Sequence, residues 1–208
     1  MNSERAIGLA SSSPRRKVAL EQIPDIKVVN IGGGEEIDND DLVTIALNKI
    51  AFAYPDILRS CQEQAVNLLG ILAADTNTLI KVLHQQTSKL ERKGKPKHHE
   101  HTHNYFKRMA DVAERDGAGY YEVVAASAFQ TETGSIAGIE TTRVLLNQKK
   151  LQNLASEDGF ANYQEQFTQF YNSEAYRNSG CRAIDVTDIS AGISFPVLTK
   201  MGLVEEVN

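Results

Sequence analysis

The sequence predicts an α/β protein, and three observations carry that expectation. First, Ile7–Ala10 reads as a short strand feeding a Ser/Pro/Arg loop, with a helix from about Pro14 to Gln22 behind it. Second, Val66–Ala74 is an almost unbroken apolar run, the pattern of a central strand buried on both sides. Third, the segment from about Asp41 to Tyr54 is amphipathic at helical spacing, with Leu42, Ile45, Ala46, Ile50 and Ala53 on one stripe. Strands alternating with helices bury their apolar faces as layers.

The opening loop carries the densest chemistry. In Ser11-Ser12-Ser13-Pro14-Arg15-Arg16-Lys17, Ser13 suits an N-cap and Pro14 a first helical position. Three cations then follow in the first turn, where the helix dipole favours acids. A bound phosphate would resolve that conflict, held by free backbone N–H groups, the hydroxyls and the arginines. Solvated arginines on a capped surface helix are the other reading.

Lys27–Ile31 reads as a second strand, broken by Gly32-Gly33-Gly34. The acids Glu35, Glu36, Asp38, Asp40 and Asp41 follow; Asn39 or Asp40 would cap the next helix, and a glycine-flanked carboxylate could reach a divalent cation. Lys49 falls within the apolar stripe, where it either snorkels or meets an anionic group. Pro55 is expected to end that helix, with a second helical piece over roughly residues 57–65. The apolar run after it stops at Asp75-Thr76. In open α/β sheets ligands bind just beyond such strand ends, so Asp75 is either a chemical residue or a cap.

Residues 79–83 suit a short strand, a helical turn or a hairpin arm, and His84–Lys97 reads as a basic exposed loop. Within His98-His99-Glu100-His101-Thr102-His103, His99 and His103 have metal-ligand spacing on a helix. A solvated entry to the helix from about His101 to Arg115 is the alternative. Tyr120–Phe129 and Glu140–Leu146 read as a hairpin around Thr133-Gly134-Ser135. The region from Lys149 to Tyr176 is helical, with Phe160, Tyr163, Phe167, Phe170 and Tyr171 at helical spacing, a pattern of packing between lobes more than of base stacking. Arg182–Val186 suggests a strand carrying Asp185, and Pro196–Met201 a closing helix ended by Gly202. No internal repeat or linker interrupts the chain, so residues 1–208 read as one domain with two lobes.

Bulk properties narrow the partners. With 208 residues the chain can bury a real core, and its net charge of −5 argues against a nucleic-acid surface while leaving room for a small phosphorylated ligand. Two distant cysteines without a Cys-x-x-Cys pattern, no signal h-region and no membrane-length apolar run point to a cytoplasmic protein without a disulfide framework, and to no membrane partner.

Taken in order, Leu9-Ala10-Ser11-Ser12-Ser13-Pro14-Arg15-Arg16, Gly34-Glu35-Glu36, Ala46-Leu47-Asn48-Lys49, Ala73-Ala74-Asp75-Thr76, Gly94-Lys95-Pro96, Gly180-Cys181-Arg182-Ala183-Ile184 and Phe195-Pro196-Val197-Leu198 resemble the motifs of the Maf family. These are nucleotide pyrophosphatases related in fold to inosine triphosphate pyrophosphatases. The resemblance implies an elongated mixed central sheet with helices on both faces and two lobes around a cleft that houses the base. It implies hydrolysis of a non-standard or surplus nucleoside triphosphate to monophosphate and pyrophosphate. Arg15, Arg16, Lys49 and Lys95 would neutralise the phosphate tail and Ser11 and Ser13 position it. Glu36 and Asp75 would hold Mg²⁺ or Mn²⁺, and Asp75 would also activate the attacking water. A homodimer stays open. A low-turnover nucleotide-binding regulator of septum formation is the alternative within the family, and a metal protein built on the histidines a third class. Asp185 stands where the family usually has Gln, an acid that would repel a triphosphate unless it binds a metal or reads the base.

Overall fold

A computed structural model of the chain describes residues 4–33, 41–81, 91–92, 99–116, 120–188 and 192–207. In chain order the elements are β1 (Arg5–Leu9), α1 (Pro14–Glu21), β2 (Ile26–Asn30), α2 (Leu42–Glu63), β3 (Asn67–Lys81), β4 (Glu91–Arg92), α3 (His99–Asp116), β5 (Tyr120–Gln130) and β6 (Ser135–Leu146). They continue as α4 (Gln148–Ala155), α5 (Glu157–Tyr171), α6 (Glu174–Arg177), β7 (Thr187–Asp188), β8 (Ile193–Ser194), α7 (Phe195–Lys200) and β9 (Val204–Val207). The main sheet is mixed, in the order β2-β1-β3-β5-β6-β9, with β4 paired to β3. β1 runs parallel to both β2 and β3, whereas β3–β4 and β6–β9 are antiparallel. Helices flank this sheet, as the α/β pattern predicts.

The chain forms two compact units. The first comprises residues 1–76, 125–140 and 177–181. Its core is Ala6, Ala10, Val29, Ala46, Ile50, Ala53, Ile57, Cys61, Ile71, Ala73 and Ala128, so the predicted α2 stripe is the face that α2 buries. Gly8 lets that helix lie close. A Cβ there would sit 2.6 Å from the Ile57 side chain.

Several expectations in this unit need correction. Asp41, not Asn39 or Asp40, caps α2, its carboxylate accepting from the Val43 and Thr44 N–H groups at 3.2 Å each. Asn39 and Asp40 themselves lie outside the described residues. Pro55 does not end the helix, which runs unbroken to Glu63. Pro55 and Ala51, whose carbonyl loses its partner, are both exposed, so water can replace the missing hydrogen bond. β3 does not stop at Asp75 but continues to Lys81, carried by the β-formers Thr76, Thr78 and Ile80. Nor is it buried on both sides. Ile71, Ala73 and Asp75 point inward, while Leu72 and Ala74 are half-buried on the other face. Of the three readings of residues 79–83, the hairpin arm fits: Leu79 and Ile80 face Arg92 and Glu91.

The second unit comprises residues 77–124, 141–176 and 182–208. Here the region 149–176 divides into three helices. Ser156 both ends α4 and caps α5, its hydroxyl accepting from Gly159 N–H at 3.2 Å. The aromatic stripe packs within this unit, Phe106 meeting Tyr163 edge-on at 4.9 Å and Phe160 stacking on the His103 ring at 4.4 Å. His103 Nε2 donates to the Ala155 carbonyl at 2.8 Å, and Nδ1 lies 3.7 Å from Glu157, so this histidine clasps α3 to the α4–α5 junction. His98 lies outside the described residues, and no cluster of three or more metal-ligating side chains occurs among the described ones.

Arg182–Val186 is not a strand. Ala183–Asp185 is a 3₁₀ turn whose Asp185 carboxylate accepts from its own Arg182, at 3.1 Å from the backbone N–H and 3.2 Å from Nε. Asp185 thus has a local structural task, with Arg182 as the counter-charge to its carboxylate.

Tyr163 is almost fully buried; its hydroxyl donates to Gly192 O at 3.1 Å and accepts from Ser194 N–H at 2.9 Å. Burial pushes its phenol well above the ordinary value of 10.0, against the opposing Ser194 hydrogen bond. Tyr163→Phe is expected to lose about 1–3 kcal/mol in urea unfolding, because it orphans a buried donor and acceptor. The folded phenol keeps its proton at pH values where the unfolded one ionises. Its contribution is therefore present below about pH 10 and lost above it, and the variant should lose less stability than wild type between about pH 9 and 11.

Candidate functional site

Within the first unit, the Ser/Pro/Arg loop leaves the carboxyl end of β1. Ala10 N–H still bonds the Leu72 carbonyl at 2.9 Å, so the loop begins as the sheet ladder ends. Ser13 occupies the N-cap position of α1 and Pro14 its first turn, yet the Ser13 side chain makes no capping bond. Instead Ser13 N–H donates to Ser11 Oγ at 3.2 Å, while Ser13 Oγ is buried with no hydrogen-bond partner. A helix start with an uncommitted hydroxyl and an uncapped first turn retains donors for an anion.

Both arginines reach back into the unit. Arg15, 6% exposed, donates from Nη1 to the Gly180 carbonyl at 2.9 Å and so ties α1 to the Gly180-Cys181 segment. Arg16 Nη1 donates to Ser11 Oγ at 3.0 Å and to the Ala74 carbonyl at 2.8 Å, which brings the opening loop onto β3 next to Asp75. Lys49 does not snorkel to water. It is 8% exposed, and its Nζ lies 3.4 Å from Asp75 Oδ1. An ammonium on an apolar stripe needs a counter-charge, and Asp75, 7% exposed and aimed at the same face, supplies it. After β2, Gly32 takes φ +89°, its N–H donating to Asn30 Oδ1 at 2.7 Å. The chain then passes over the loop: a Cβ on Gly33 would stand 3.6 Å from Ser12 N.

The fold therefore gathers Ser11, Ser13, Arg15, Arg16, Lys49 and Asp75 in one unit. Glu36 and Lys95, as well as Gly34 and Glu35, lie outside the described residues. What side-chain pattern could not reveal is the Ala74 carbonyl that receives Arg16, since backbone acceptors leave no trace in residue type. It also could not reveal an open cavity of about 450 Å³ beside Arg16, walled by Leu72, Ala126, Ile139, Glu140 and Cys181. Those residues are far apart in sequence and meet only through the sheet order.

These features define an α/β protein with hydroxyls and cations at the end of its first strand, beside a buried lysine–aspartate pair. The model of the Maf-like protein family matches residues 6–190, and the chain belongs to that family. A comparison with curated proteins finds no match. Among solved structures, the chain is similar to the Staphylococcus aureus Ham1 protein, with a TM-score of 0.41, 9% identity, and coverage of 69% of this chain and 72% of that one. No helix among the described residues is long and apolar enough to cross a membrane.

Proposed function

We propose that the protein is a nucleoside triphosphate pyrophosphatase that hydrolyses the α–β phosphoanhydride, releasing a monophosphate and pyrophosphate. The observation that carries this reading is the convergence of Ser11, Arg16 and the buried Lys49–Asp75 pair around Ala74-Asp75 of β3. Family membership supports it. Phosphoryl-type transfer asks mostly for positioning and charge neutralisation, and this set offers both.

Ser13, whose buried Oγ lacks a partner, and Ser11 donate to phosphate oxygens. Arg16, Lys49 and Lys95 balance the charge of the tail, and Arg15 contributes to that field while holding the Gly180 segment. Asp75 orients the attacking water and accepts its proton, with Lys49 keeping the carboxylate aimed.

The donor set suits a hard divalent cation. Mg²⁺ takes one or two carboxylates and completes its shell with water and substrate phosphates, so Asp75 and Glu36 would suffice as protein ligands. When bound, Mg²⁺ or Mn²⁺ would polarise the phosphate oxygens and offset charge on the leaving pyrophosphate.

The test is pyrophosphate release from a panel of nucleoside triphosphates with Mg²⁺ or Mn²⁺. Monophosphate and pyrophosphate in equal amounts from one or two substrates is the expected result. Orthophosphate with diphosphate would refute the cleavage site, and tight binding without turnover would leave the protein a regulator. Arg16→Ala is expected to raise KM about tenfold or more and lower kcat less. It removes a cation that touches the tail without touching the water.

A further inference from the structure

The cavity beside Arg16 is built entirely from residues of the first unit, on the face of β3 turned away from Asp75. Leu72 and Ala74 lie on that face, and Leu20 of α1 is a side wall. The turn closed by Thr131 N–H and Gly134 O begins the β5–β6 ladder. Counted back from there, Gly138 stands opposite Ser127 and Glu140 opposite Ala125, and all four line the cavity. Ser127 and Glu140 are therefore diagonal neighbours, about 7–8 Å apart at the backbone, flanked by the small residues Ala125 and Gly138. A Cβ at Gly138 would meet nothing within 4 Å, so the space over this pair is open. Neither the Ser127 hydroxyl nor the Glu140 carboxylate has a hydrogen-bond or ion-pair partner among the described residues. A mostly apolar cavity of about 450 Å³ with a few convergent polar groups has the form of a small-molecule site.

We propose that this cavity holds the base of the nucleotide. Glu140 and Ser127 there select bases that present a ring N–H beside a carbonyl, as guanine, hypoxanthine, uracil and thymine do. The inference rests on the opening loop holding the phosphate tail. Arg16 links the two places. β1 ends level with Leu72, whose carbonyl is taken by Ala10 N–H; two residues on, the Ala74 carbonyl points the same way and is taken by Arg16. At that rung a side chain stands where a strand would, so one guanidinium borders both the cavity and the loop that carries Ser11. A tail held at the loop therefore leaves its nucleoside within reach of the cavity, and small floor residues leave room for a planar ring. A carboxylate only accepts, so Glu140 takes the ring N–H while the Ser127 hydroxyl donates to the neighbouring carbonyl. Guanine adds its exocyclic amino group as a second donor to the carboxylate. Adenine and cytosine instead offer one amino group beside a ring-nitrogen lone pair, which the carboxylate repels.

Calorimetric titration of the full chain with the monophosphates of guanosine, uridine, adenosine and cytidine tests this without turnover. Wild type should bind the first two about tenfold or more tighter than the last two. Glu140→Gln should shrink that ratio to about threefold or less, because an amide both donates and accepts. Gly138→Val should weaken all four about tenfold or more by filling the cavity. Its melting curve should not change, since position 138 needs no left-handed backbone and valine suits a strand. Its affinity for inorganic tripolyphosphate, a tail without a base, should not change either. Equal affinity for the four monophosphates or none for any, a preference that survives Glu140→Gln, or full binding by Gly138→Val would each overturn the proposal. Orthophosphate release in the triphosphate assay would sink the pyrophosphatase reading and leave these affinities as they are. Pyrophosphate release with a base preference indifferent to both substitutions would do the reverse.

Discussion

Asp75→Asn is expected to reduce pyrophosphate release by about a thousandfold or more, because it removes the group that orients and deprotonates the water. It should also destabilise the fold. Lys49 and Asp75 are each buried, and neutralising the acid takes away the carboxylate charge 3.4 Å from the ammonium in a low-dielectric interior. Breaking such a pair costs about 3–5 kcal/mol, whereas replacing both members by neutral groups of similar shape is close to neutral. The double variant Lys49→Met/Asp75→Asn should accordingly recover most of the stability lost by Asp75→Asn and none of the activity. Urea unfolding and the pyrophosphate assay on the same three proteins check this. If activity returned with stability, neither Asp75 nor Lys49 would belong to the catalytic and binding machinery.

Gly159→Ala is expected to be the most damaging small substitution in the second unit. A Cβ at Gly159 would overlap the Asn153 carbonyl oxygen and sit 2.6 Å from its carbon. Those are backbone atoms of α4, held by the Ser156 junction, and they cannot swing aside as a side-chain tip can. The cost is about 3 kcal/mol or more, or roughly 6–12 °C in Tm for a chain of this size. Gly134→Ala, at a turn with nothing within 4 Å, should shift Tm little and serves as the control. Equal shifts at the two positions in a thermal melt would mean that α4 and α5 yield at their junction.

Much of this was legible in the sequence. Periodicity located the α2 stripe and singled out Lys49 as its anomaly, and helix-start preferences set against the dipole framed the serine–arginine loop. The apolar run gave the face of Asp75 but not its place along the strand, because strand termini depend on pairing. β4 extends the ladder past Thr76 from a distant segment. Pro55 misled for a related reason: a rule about helix interiors assumes that the lost hydrogen bond is buried, and here that face is open to water. The choice among neighbouring acids for the α2 cap turned on a one-residue phase. At Arg182–Asp185 a local ion pair overrode apolar content too sparse to hold a strand.

The two thiols differ in a way that makes the molecule its own gauge. Cys61 lies in the core of the first unit, where burial raises its thiol pKa above the ordinary 9.0, while Cys181 is exposed beside the cavity. A maleimide or disulfide reagent at neutral pH should therefore count one sulfhydryl in the native protein and two once the core opens. The slow second count reads the opening rate of that core without a fluorophore, in a chain with no tryptophan. The fast first count places any probe attached to it at the cavity wall.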